Sequence, residues 1–365
     1  MADITKSEVL SVLKNLDDKD INTDFLILNS IKEFESKGSK LHITISVPAN
    51  ISTENLENKF SKAIKKEFTD LKEIDINFES KVNAHKDPKK DAILPGVKNT
   101  IAIASGKGGV GKSTVAVNLA VALAKDGAKV GIIDADIYGP SIPLMLGINK
   151  KPQIFQSKET MKMIPLFNYG IKIISIGFLI DDNAPVIWRG PMASGAVKQF
   201  MTDVDWDELD YLVFDMPPGT GDIQLTLVQT IPLTGAVIVT TPQEVSLIDA
   251  RKALKMFGRV NVPILGIVEN MSYFIAPDTG KKYDIFGSGG GSALAKDTET
   301  PFLGGIPIDP RIRIGGDKGI PIVFDMPGSE HADVMMSIAR NLADEVKKRN
   351  SQAGSKVEIV LDNDD

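Results

Sequence analysis

Between residues 98 and 270 the chain carries six short, almost wholly apolar runs, and helical segments separate them. In chain order they read TIAIAS, KVGIID, IKIISIG, YLVFD, AVIVTT and PILGIVEN. Runs that are apolar on both faces are typical of strands buried on both sides, and their alternation with helices indicates crossovers between parallel strands. The sequence therefore predicts an α/β fold in which helices cover both faces of a mostly parallel sheet.

The first of these runs leads directly into the glycine-rich segment SGKGGVGKST, residues 105–114, which opens the helical run STVAVNLAVALAKDG. The segment fits the pattern G-x-x-x-x-G-K-[ST], in which glycines let backbone N–H groups wrap a phosphate and the helix N-terminus favours its negative charge. In that pattern Lys112 reaches the outer phosphates and the Ser113 hydroxyl binds Mg²⁺. The other interpretation is a glycine-rich turn without a ligand. The nucleotide-binding residues predicted on this loop are Gly106, Lys107, Gly108, Gly109, Val110, Gly111, Lys112, Ser113 and Thr114.

Carboxylates follow two further apolar runs. The segment GIIDADIYGPS places Asp134 and Asp136 at the end of one predicted strand, and YLVFDMPPGTGD places Asp215 at the end of another, before a Pro-Gly loop. The carboxyl ends of parallel strands form the ligand-binding edge of an α/β sheet. Asp215 is therefore predicted to hold Mg²⁺ through water. For Asp134 a functional and a purely structural carboxylate both stay open.

The first 80 residues have a different pattern. Thr5 and Glu8 have the spacing of a capping box ahead of an apolar helical stretch. KLHITISV is typical of a strand, and apolar residues recur at helical spacing from Leu56 to Phe68. Alternation from Ile74 to Phe78 indicates another strand. These features predict a small α+β domain.

The length of 365 residues suits one large domain and a smaller companion. The stretch SKVNAHKDPKKDAILPGVKN is polar and rich in lysine and proline, which is typical of a linker, and a long amphipathic helix is predicted over about 328–348. The predicted organisation is an α+β domain at 1–80, a linker at 81–97, a P-loop domain at 98–348 and an acidic, flexible tail at 349–365. Within the tail, KVEIVL is a candidate edge strand.

Composition excludes several classes of protein. The net charge of −6 repels nucleic acid and anionic lipid, and no segment has the apolar length of a membrane span. MADITKSEVL lacks the pattern of a secretion signal, so a cytoplasmic location is expected. The chain has no cysteine, which rules out disulfides, thiolate nucleophiles and thiolate metal sites. His42, His85 and His331 are scattered and are expected to be surface or structural residues.

Lys107 is one lysine more than a phosphate-binding loop requires. It is either a solvated loop residue or a second cation for the phosphates. The sequence KGGVGKS resembles the deviant Walker A loop of the MinD, ParA and nitrogenase-iron-protein class of ATPases. This resemblance implies a homodimer in which Lys107 reaches the phosphates of the other subunit, so that hydrolysis is slow and depends on dimerisation. It makes Lys107, Lys112 and Asp136 the catalytic residues.

The same resemblance assigns further roles. It places Asp136 in the first of two switch loops, 136–143 and 215–222, where it positions or activates the attacking water. Asn270 matches the residue that hydrogen-bonds adenine, with a turn-forming asparagine as the alternative, and Ile306–Pro310 resembles the loop that frames the base. ATP and Mg²⁺ are accordingly the expected ligands.

Further segments narrow the resemblance. DADIYGPSIPLMLG, WRGPM, DMPPGTGD, ENMSYF and YDIFGSGGG jointly resemble the Mrp/ApbC family of iron-sulfur cluster carrier ATPases over about residues 98–348. The first 80 residues are similar to a small iron-sulfur-assembly domain often fused in front of such proteins, with NLDDKDINTD in place of its usual acidic-proline signature. The resemblance implies an iron-sulfur cluster as cargo, and iron-sulfur assembly proteins or apoprotein clients as partners.

One departure from this family concerns the metal ligands. Family members with a metal site carry Cys-Pro-x-Cys after ENMSYF, whereas this chain has IAPDTG, with Ala276 and Thr279 at the cysteine positions. Neither a methyl nor a hydroxyl group replaces a thiolate for a soft cluster. No iron-sulfur ligand is therefore predicted, and the cluster rests on the resemblance alone.

Two other functions stay open. A MinD/ParA-type positioning ATPase would need a membrane-binding helix or a basic stripe for DNA. The sequence ends in LDNDD, and a candidate stripe of Arg251, Lys252, Lys255, Arg311 and Arg313 is more typical of a solvated face, so neither membrane nor nucleic acid is an expected partner. The third function is a scaffold or assembly-partner switch that carries no cluster.

Overall fold

The computed structural model describes residues 4–16, 26, 30–48, 56–156, 161–179 and 190–353. The chain divides into two compact units, one of Met1–Val82 with Lys125–Ala128 and the other of Asn83–Ala124 with Lys129–Asp365. The elements before residue 83 are α1 (Lys6–Lys14), β1 (Ile31–Lys37), β2 (Lys40–Pro48), α2 (Leu56–Glu67) and β3 (Glu73–Lys81).

The first unit is an α+β structure around its own core. Its sheet has the order β1-β2-β3, in which β1 and β2 are antiparallel and β2 and β3 are parallel. The predicted capping box is confirmed, because Thr5 Oγ1 accepts the Glu8 N–H and the Glu8 carboxylate accepts the Thr5 N–H. Apolar residues of both helices and of the strands, among them Leu13, Ile43 and Phe60, form one buried cluster.

From residue 83 onward the elements are α3 (Pro88–Ile93), β4 (Val97–Ala104), α4 (Lys112–Lys125), β5 (Val130–Asp134), α5 (Ile142–Met145), β6 (Gln153–Gln156), β7 (Met161–Ile164), β8 (Leu166–Asn168), β9 (Ile171–Ser175), α6 (Gly190–Thr202), β10 (Leu209–Asp215), α7 (Asp222–Thr230), β11 (Gly235–Thr240), α8 (Glu244–Arg259), β12 (Ile264–Glu269), β13 (Phe274–Ile275), β14 (Lys282–Tyr283), α9 (Gly290–Asp297), β15 (Phe302–Gly305), α10 (Pro310–Lys318), α11 (Ile322–Asp325) and α12 (Glu330–Ala353). A 3₁₀ turn follows β9 at Ile176–Leu179.

The large sheet confirms the predicted fold class. Its eight strands have the order β15-β12-β11-β4-β10-β5-β9-β8, and every neighbouring pair is parallel except β8 and β9. The six apolar runs form β4, β5, β9, β10, β11 and β12. Every residue of β5, β10 and β11 is buried, as expected for strands covered on both faces. β4 lies in the middle of the sheet, with β10 on one side and β11 on the other.

The stretch that resembles a linker contains a helix. Asp87 caps α3 by accepting the Lys89 N–H, and Pro88 occupies the first turn, where its missing N–H costs nothing. The Lys90 side chain is buried and donates to the carbonyl oxygens of His85 and Lys98. Lysine and proline content alone indicated a linker, whereas the capping residue and these buried contacts give residues 88–93 a helical structure.

The last helix is longer than the sequence suggested. α12 continues to Ala353, beyond the predicted end near 348, so the first residues of the predicted tail are helical. Residues 354–365, with the strand predicted for KVEIVL, lie outside the described residues. Trp188 and Arg189 of WRGPM also lie outside them, and α6 begins with the glycine of that segment.

Candidate nucleotide-binding site

The glycine-rich loop connects the central strand β4 to α4. Gly111 has a φ of 80°, and a Cβ there would lie 2.2 Å from Asn270 Nδ2. Gly106 lies against α8, so that a Cβ would lie 2.1 Å from the carbonyl oxygen of Asp249. Only glycine tolerates approaches this close. The loop is therefore seated between α8 and the end of β12.

The Lys112 side chain lies in a cluster of carboxylates. Its amine is 2.5 Å from Asp215 Oδ1 and 3.2 Å from Asp136 Oδ2. The Lys112 side chain is only 6% exposed, and that of Asp215 is fully buried. Ser113 Oγ lies 3.3 Å from the same amine. The structure thus brings four of the sequence-predicted site residues into one buried cluster.

Asp134 supports this cluster from the next strand. Its Oδ2 accepts hydrogen bonds from Ser175 Oγ at 2.8 Å and from the Ile142 N–H at 3.2 Å, and its Oδ1 accepts the Asp136 N–H at 3.2 Å. Burial, followed by the charge of Asp215, raises the pKa of Asp134 to about 8. Asp134 therefore fixes the backbone that carries Asp136 and the start of α5. Ser175 was missed by the sequence reasoning, although a serine that ends an apolar strand was a usable signal.

The charges of the cluster are not balanced. Burial disfavours the charged form of Lys112, but Asp215 and Asp136 outweigh burial and hold the pKa of Lys112 above its ordinary value. Burial also raises the pKa of Asp215, and the contact with Lys112 opposes that rise. Asp215 Oδ2 is buried and has no hydrogen-bond partner within the described part of the chain. An unsatisfied carboxylate oxygen next to a hydroxyl fits Mg²⁺, which prefers oxygen ligands and retains several waters.

Lys107 differs from Lys112 in its surroundings. Its side chain is half-buried, and its amine has no hydrogen bond or ion pair among the residues the structure describes. The next two residues, Gly108 and Gly109, are exposed. Lys107 therefore carries an uncompensated charge on the open side of the loop.

Asn270 holds the loop from the end of β12. Its Nδ2 donates to the carbonyl oxygen of Val110 at 2.8 Å, and its Oδ1 accepts the Met271 N–H at 3.0 Å. Sequence reasoning assigned this side chain to the base or to a turn and did not foresee the contact with the loop. A cavity of about 470 Å³ lies beside it, lined among others by Thr114, Met145 and Ile308. Pro307–Asp309, part of the segment predicted to frame the base, also lines this cavity.

The positions of the family cysteines lie on a small hairpin. β13 and β14 pair antiparallel, and the turn between them is closed by the Gly280 N–H, which donates to the Ala276 carbonyl oxygen at 2.8 Å. Thr279 is exposed on this turn. Across the described ranges, no group of three or more histidine, cysteine, aspartate or glutamate side chains could hold a metal ion. The residues present therefore do not fit a thiolate-held cluster.

The remaining predicted residues are engaged elsewhere. Most members of the candidate basic stripe pair with acids, in Arg251–Asp297, Lys252–Asp249, Arg311–Asp309 and Arg313–Asp317. The three histidines contact polar neighbours, in His42–Asp75, His85–Asn350 and His331–Asp309. Within the described ranges, no helix has the length and apolar character needed to cross a membrane.

Known proteins resemble this chain over most of its length. The family described as ParA, NUBPL iron-transfer P-loop NTPase, matches residues 96–343. An iron-sulfur cluster carrier protein of Synechocystis sp. is 48% identical over 94% of this chain and 98% of its own length. One of Escherichia coli (strain K12) is 45% identical over 93% of this chain and 91% of its own length. A solved nucleotide-binding protein from Archaeoglobus fulgidus, in complex with ADP, is 41% identical, has a TM-score of 0.56, and covers 67% of this chain and 99% of that chain.

Proposed function

This chain belongs to the NUBPL iron-transfer family of P-loop NTPases, and we propose that it is an ATP-hydrolysing dimeric switch for iron-sulfur clusters. It would act in the assembly of clusters or in their transfer to apoproteins, as the names of its full-length relatives suggest. The proposal that the chain binds and hydrolyses ATP rests on the position of Lys112. Lys112 lies between Asp215 and Asp136, at the end of a loop whose close contacts require glycine. The Archaeoglobus relative was solved in complex with ADP, which supports nucleotide binding by this chain.

Lys112 links nucleotide binding to the carboxylates. Without phosphate nearby, its amine forms ion pairs with both Asp215 and Asp136. A triphosphate on the loop carries more charge and lies at the N-terminus of α4, so the amine turns to the outer phosphates. Asp215 can then hold Mg²⁺ through water, with Ser113 as a direct ligand. When bound, Mg²⁺ neutralises charge on the phosphates.

Asp136 positions the attacking water. Its Oδ1 accepts the Tyr138 N–H at 3.1 Å, and its Oδ2 is the oxygen that contacts Lys112. Once the Lys112 amine has moved to the phosphates, Oδ2 can accept a hydrogen bond from a water aligned with the γ-phosphorus. Attack by this water releases ADP and phosphate. Asp134 keeps the Asp136 backbone in place throughout.

Lys107 makes hydrolysis depend on a second subunit. Its amine, which has no partner in the described part of the chain, lies on the open side of the loop, where a facing copy of the chain would bring its own phosphates. A lysine supplied in this way stabilises charge that develops on the transferred phosphoryl group, as an arginine finger does in other enzymes. A single subunit lacks that charge at its own site, so turnover is slow until the dimer forms.

The cluster would be cargo of the switch, and this chain does not supply its usual ligands. The hairpin turn offers a methyl group at Ala276 and a hydroxyl at Thr279, and the chain has no cysteine. A soft iron-sulfur cluster requires thiolates or equivalent ligands. We therefore assign cluster ligation to thiols of partner proteins and the ATP-driven change of state to this chain.

Three lysine variants test the nucleotide part. Lys112→Ala should weaken ATP binding, and Lys107→Ala should keep binding but lose hydrolysis, because only Lys112 reaches phosphates within its own subunit. Lys255→Ala, an exposed lysine on α8, is the control and should do neither. Binding by calorimetry and phosphate release separate the effects. Normal turnover by Lys107→Ala would overturn its role, and unchanged affinity of Lys112→Ala would overturn the site.

The cluster part has its own test. Iron and sulfide are measured after anaerobic reconstitution and desalting, in the wild type and in an Ala276→Cys, Thr279→Cys double variant. We expect the double variant alone to retain a stoichiometric cluster, because it restores the thiolates at the hairpin. A stoichiometric, transferable cluster on the wild type would contradict ligation by partner thiols.

A further inference from the structure

The Gln224 side chain carries a buried amide. It lies in the first turn of α7, two residues after the loop 215–222, and is 2% exposed. Neither Gln224 Nε2 nor Gln224 Oε1 has a hydrogen-bond partner anywhere in the described ranges. Burying a primary amide in this way removes its hydrogen bonds to water without replacing them, which costs folding free energy.

The neighbours of Gln224 on its face of α7 are apolar. Leu227 and Val228 lie three and four residues further along, on the same face of α7, and both belong to the main apolar core. That core includes Val197 and Phe200 of α6, a helix that packs on α7. An apolar side chain of similar length would satisfy this position better than glutamine. A polar group that breaks the local pattern in this way is expected at functional or strained sites.

The loop before Gln224 is hydrogen-bonded to β4 and to the phosphate loop. The Met216 N–H donates to the Ile103 carbonyl oxygen of β4 at 3.0 Å, and the Gly219 N–H donates to the Ser105 carbonyl oxygen at 2.9 Å. Asp215, at the start of the loop, has the unpartnered oxygen described above. Buried polar groups without hydrogen-bond partners among the described residues therefore lie at the start of the loop, in Asp215, and just after its end, in Gln224. Between them, Gly219 is hydrogen-bonded to Ser105, the first residue of the phosphate loop.

We propose that Gln224 is a positioning residue for the loop 215–222. Its unsatisfied amide raises the free energy of the nucleotide-free arrangement, and it gains a hydrogen-bond partner when the loop closes on the γ-phosphate. By destabilising the nucleotide-free arrangement, Gln224 shifts the intrinsic equilibrium of the loop towards the closed state, so a smaller difference in ATP affinity between the two states suffices to close it. Since the closed loop is the one that binds ATP productively, the inference rests on the proposed ATPase function.

Gln224→Met tests this inference, with Gln229→Met as the matched control. Gln229 is an exposed glutamine on the same helix. We expect Gln224→Met to raise the melting temperature of the nucleotide-free protein by about 2–4 °C, because methionine fills the site without a buried amide. We expect its kcat for ATP to fall about fivefold with an unchanged KM, because the penalty that favoured loop closure is gone. Gln229→Met should match the wild type in both.

Two results would overturn the inference. A lower melting temperature for Gln224→Met would mean that the amide is already hydrogen-bonded, as by a buried water, in the nucleotide-free state. A higher melting temperature with wild-type kcat would show that the Gln224 amide destabilises the protein but does not affect the loop 215–222. Failure of the proposed function has a different signature, because the wild type itself would then release no phosphate from ATP.

Discussion

Asp134 and Asp215 are register partners at the carboxyl ends of the adjacent parallel strands β5 and β10. Both are fully buried, and Lys112 contacts Asp215 directly. The pairing places the carboxyl group of Asp134 beside that of Asp215, which already forms an ion pair with Lys112. Burial, followed by the charge of Asp215 in this register, raises the pKa of Asp134 to about 8, and this makes the stability of the nucleotide-free protein depend on pH.

The first prediction concerns this pH dependence. The unfolded chain releases the Asp134 proton near pH 4, whereas the folded protein holds it up to about pH 8. The stabilisation is therefore complete below pH 4 and is lost as the pH rises through 8. Between pH 6 and pH 8 the unfolding free energy of the wild type should fall by about 2 kcal/mol more than that of Asp134→Asn. Urea titrations of the nucleotide-free proteins at each pH measure this difference in unfolding free energy.

The control for this measurement is Asp70→Asn, which changes an exposed carboxyl group in a turn of the first unit. Its unfolding free energy should follow that of the wild type across the same pH range. Parallel curves for the wild type and Asp134→Asn would show that Asp134 is ionised in the folded protein.

The second prediction concerns the contact between Asn270 and the phosphate loop. Asn270→Asp keeps the shape of the side chain, but a carboxylate cannot donate to the Val110 carbonyl oxygen and repels it. The affinity for ATP should fall about fivefold to tenfold, in line with one lost hydrogen bond near the ligand. The control is Asn261→Asp, which makes the same chemical change at an exposed turn position. Equal affinities of the two variants would remove Asn270 from the site.

The third prediction separates two glycines of one loop. A Cβ at Gly106 would collide with the Asp249 carbonyl oxygen, so Gly106→Ala must displace α8 and should lower the unfolding free energy by about 2–3 kcal/mol. At Gly108 the nearest atom to a Cβ is a Pro218 carbon at 3.9 Å, so Gly108→Ala should stay within about 0.5 kcal/mol of the wild type. Chemical denaturation compares them. Equal stabilities would place Gly106 away from α8.

Local pattern was enough to predict the parallel sheet, the strand-loop-helix around the phosphate loop and the capping box of α1. Each of these depends on residues that are close in the sequence, such as Lys112 and Ser113 at the start of a helix. The sequence also placed Asp136 and Asp215 at strand ends, because parallel strands end on a common edge.

Contacts between distant segments could not be predicted in the same way. The pKa of Asp134 depends on which strand lies beside β5, and the contact of Asn270 with Val110 joins β12 to the loop after β4. Lys90 is buried because its amine donates to the carbonyl oxygens of His85 and Lys98. Its neighbours in the sequence are polar and charged, so the sequence alone indicates a solvated lysine. Gln224 is conspicuous only once its neighbours on the helix face are known to be core residues.

The most direct test of the dimeric switch mixes two inactive variants, Lys107→Ala and Asp136→Asn. In a mixed dimer the Lys107→Ala subunit keeps Asp136 and receives Lys107 from the other subunit, so one of its two sites is complete. If Lys107 acts across the interface, an equal mixture should recover about a quarter of the wild-type rate of phosphate release per subunit. If Lys107 acts within its own subunit, neither site is complete, and a mixture as inactive as the separate variants would contradict the cross-subunit role.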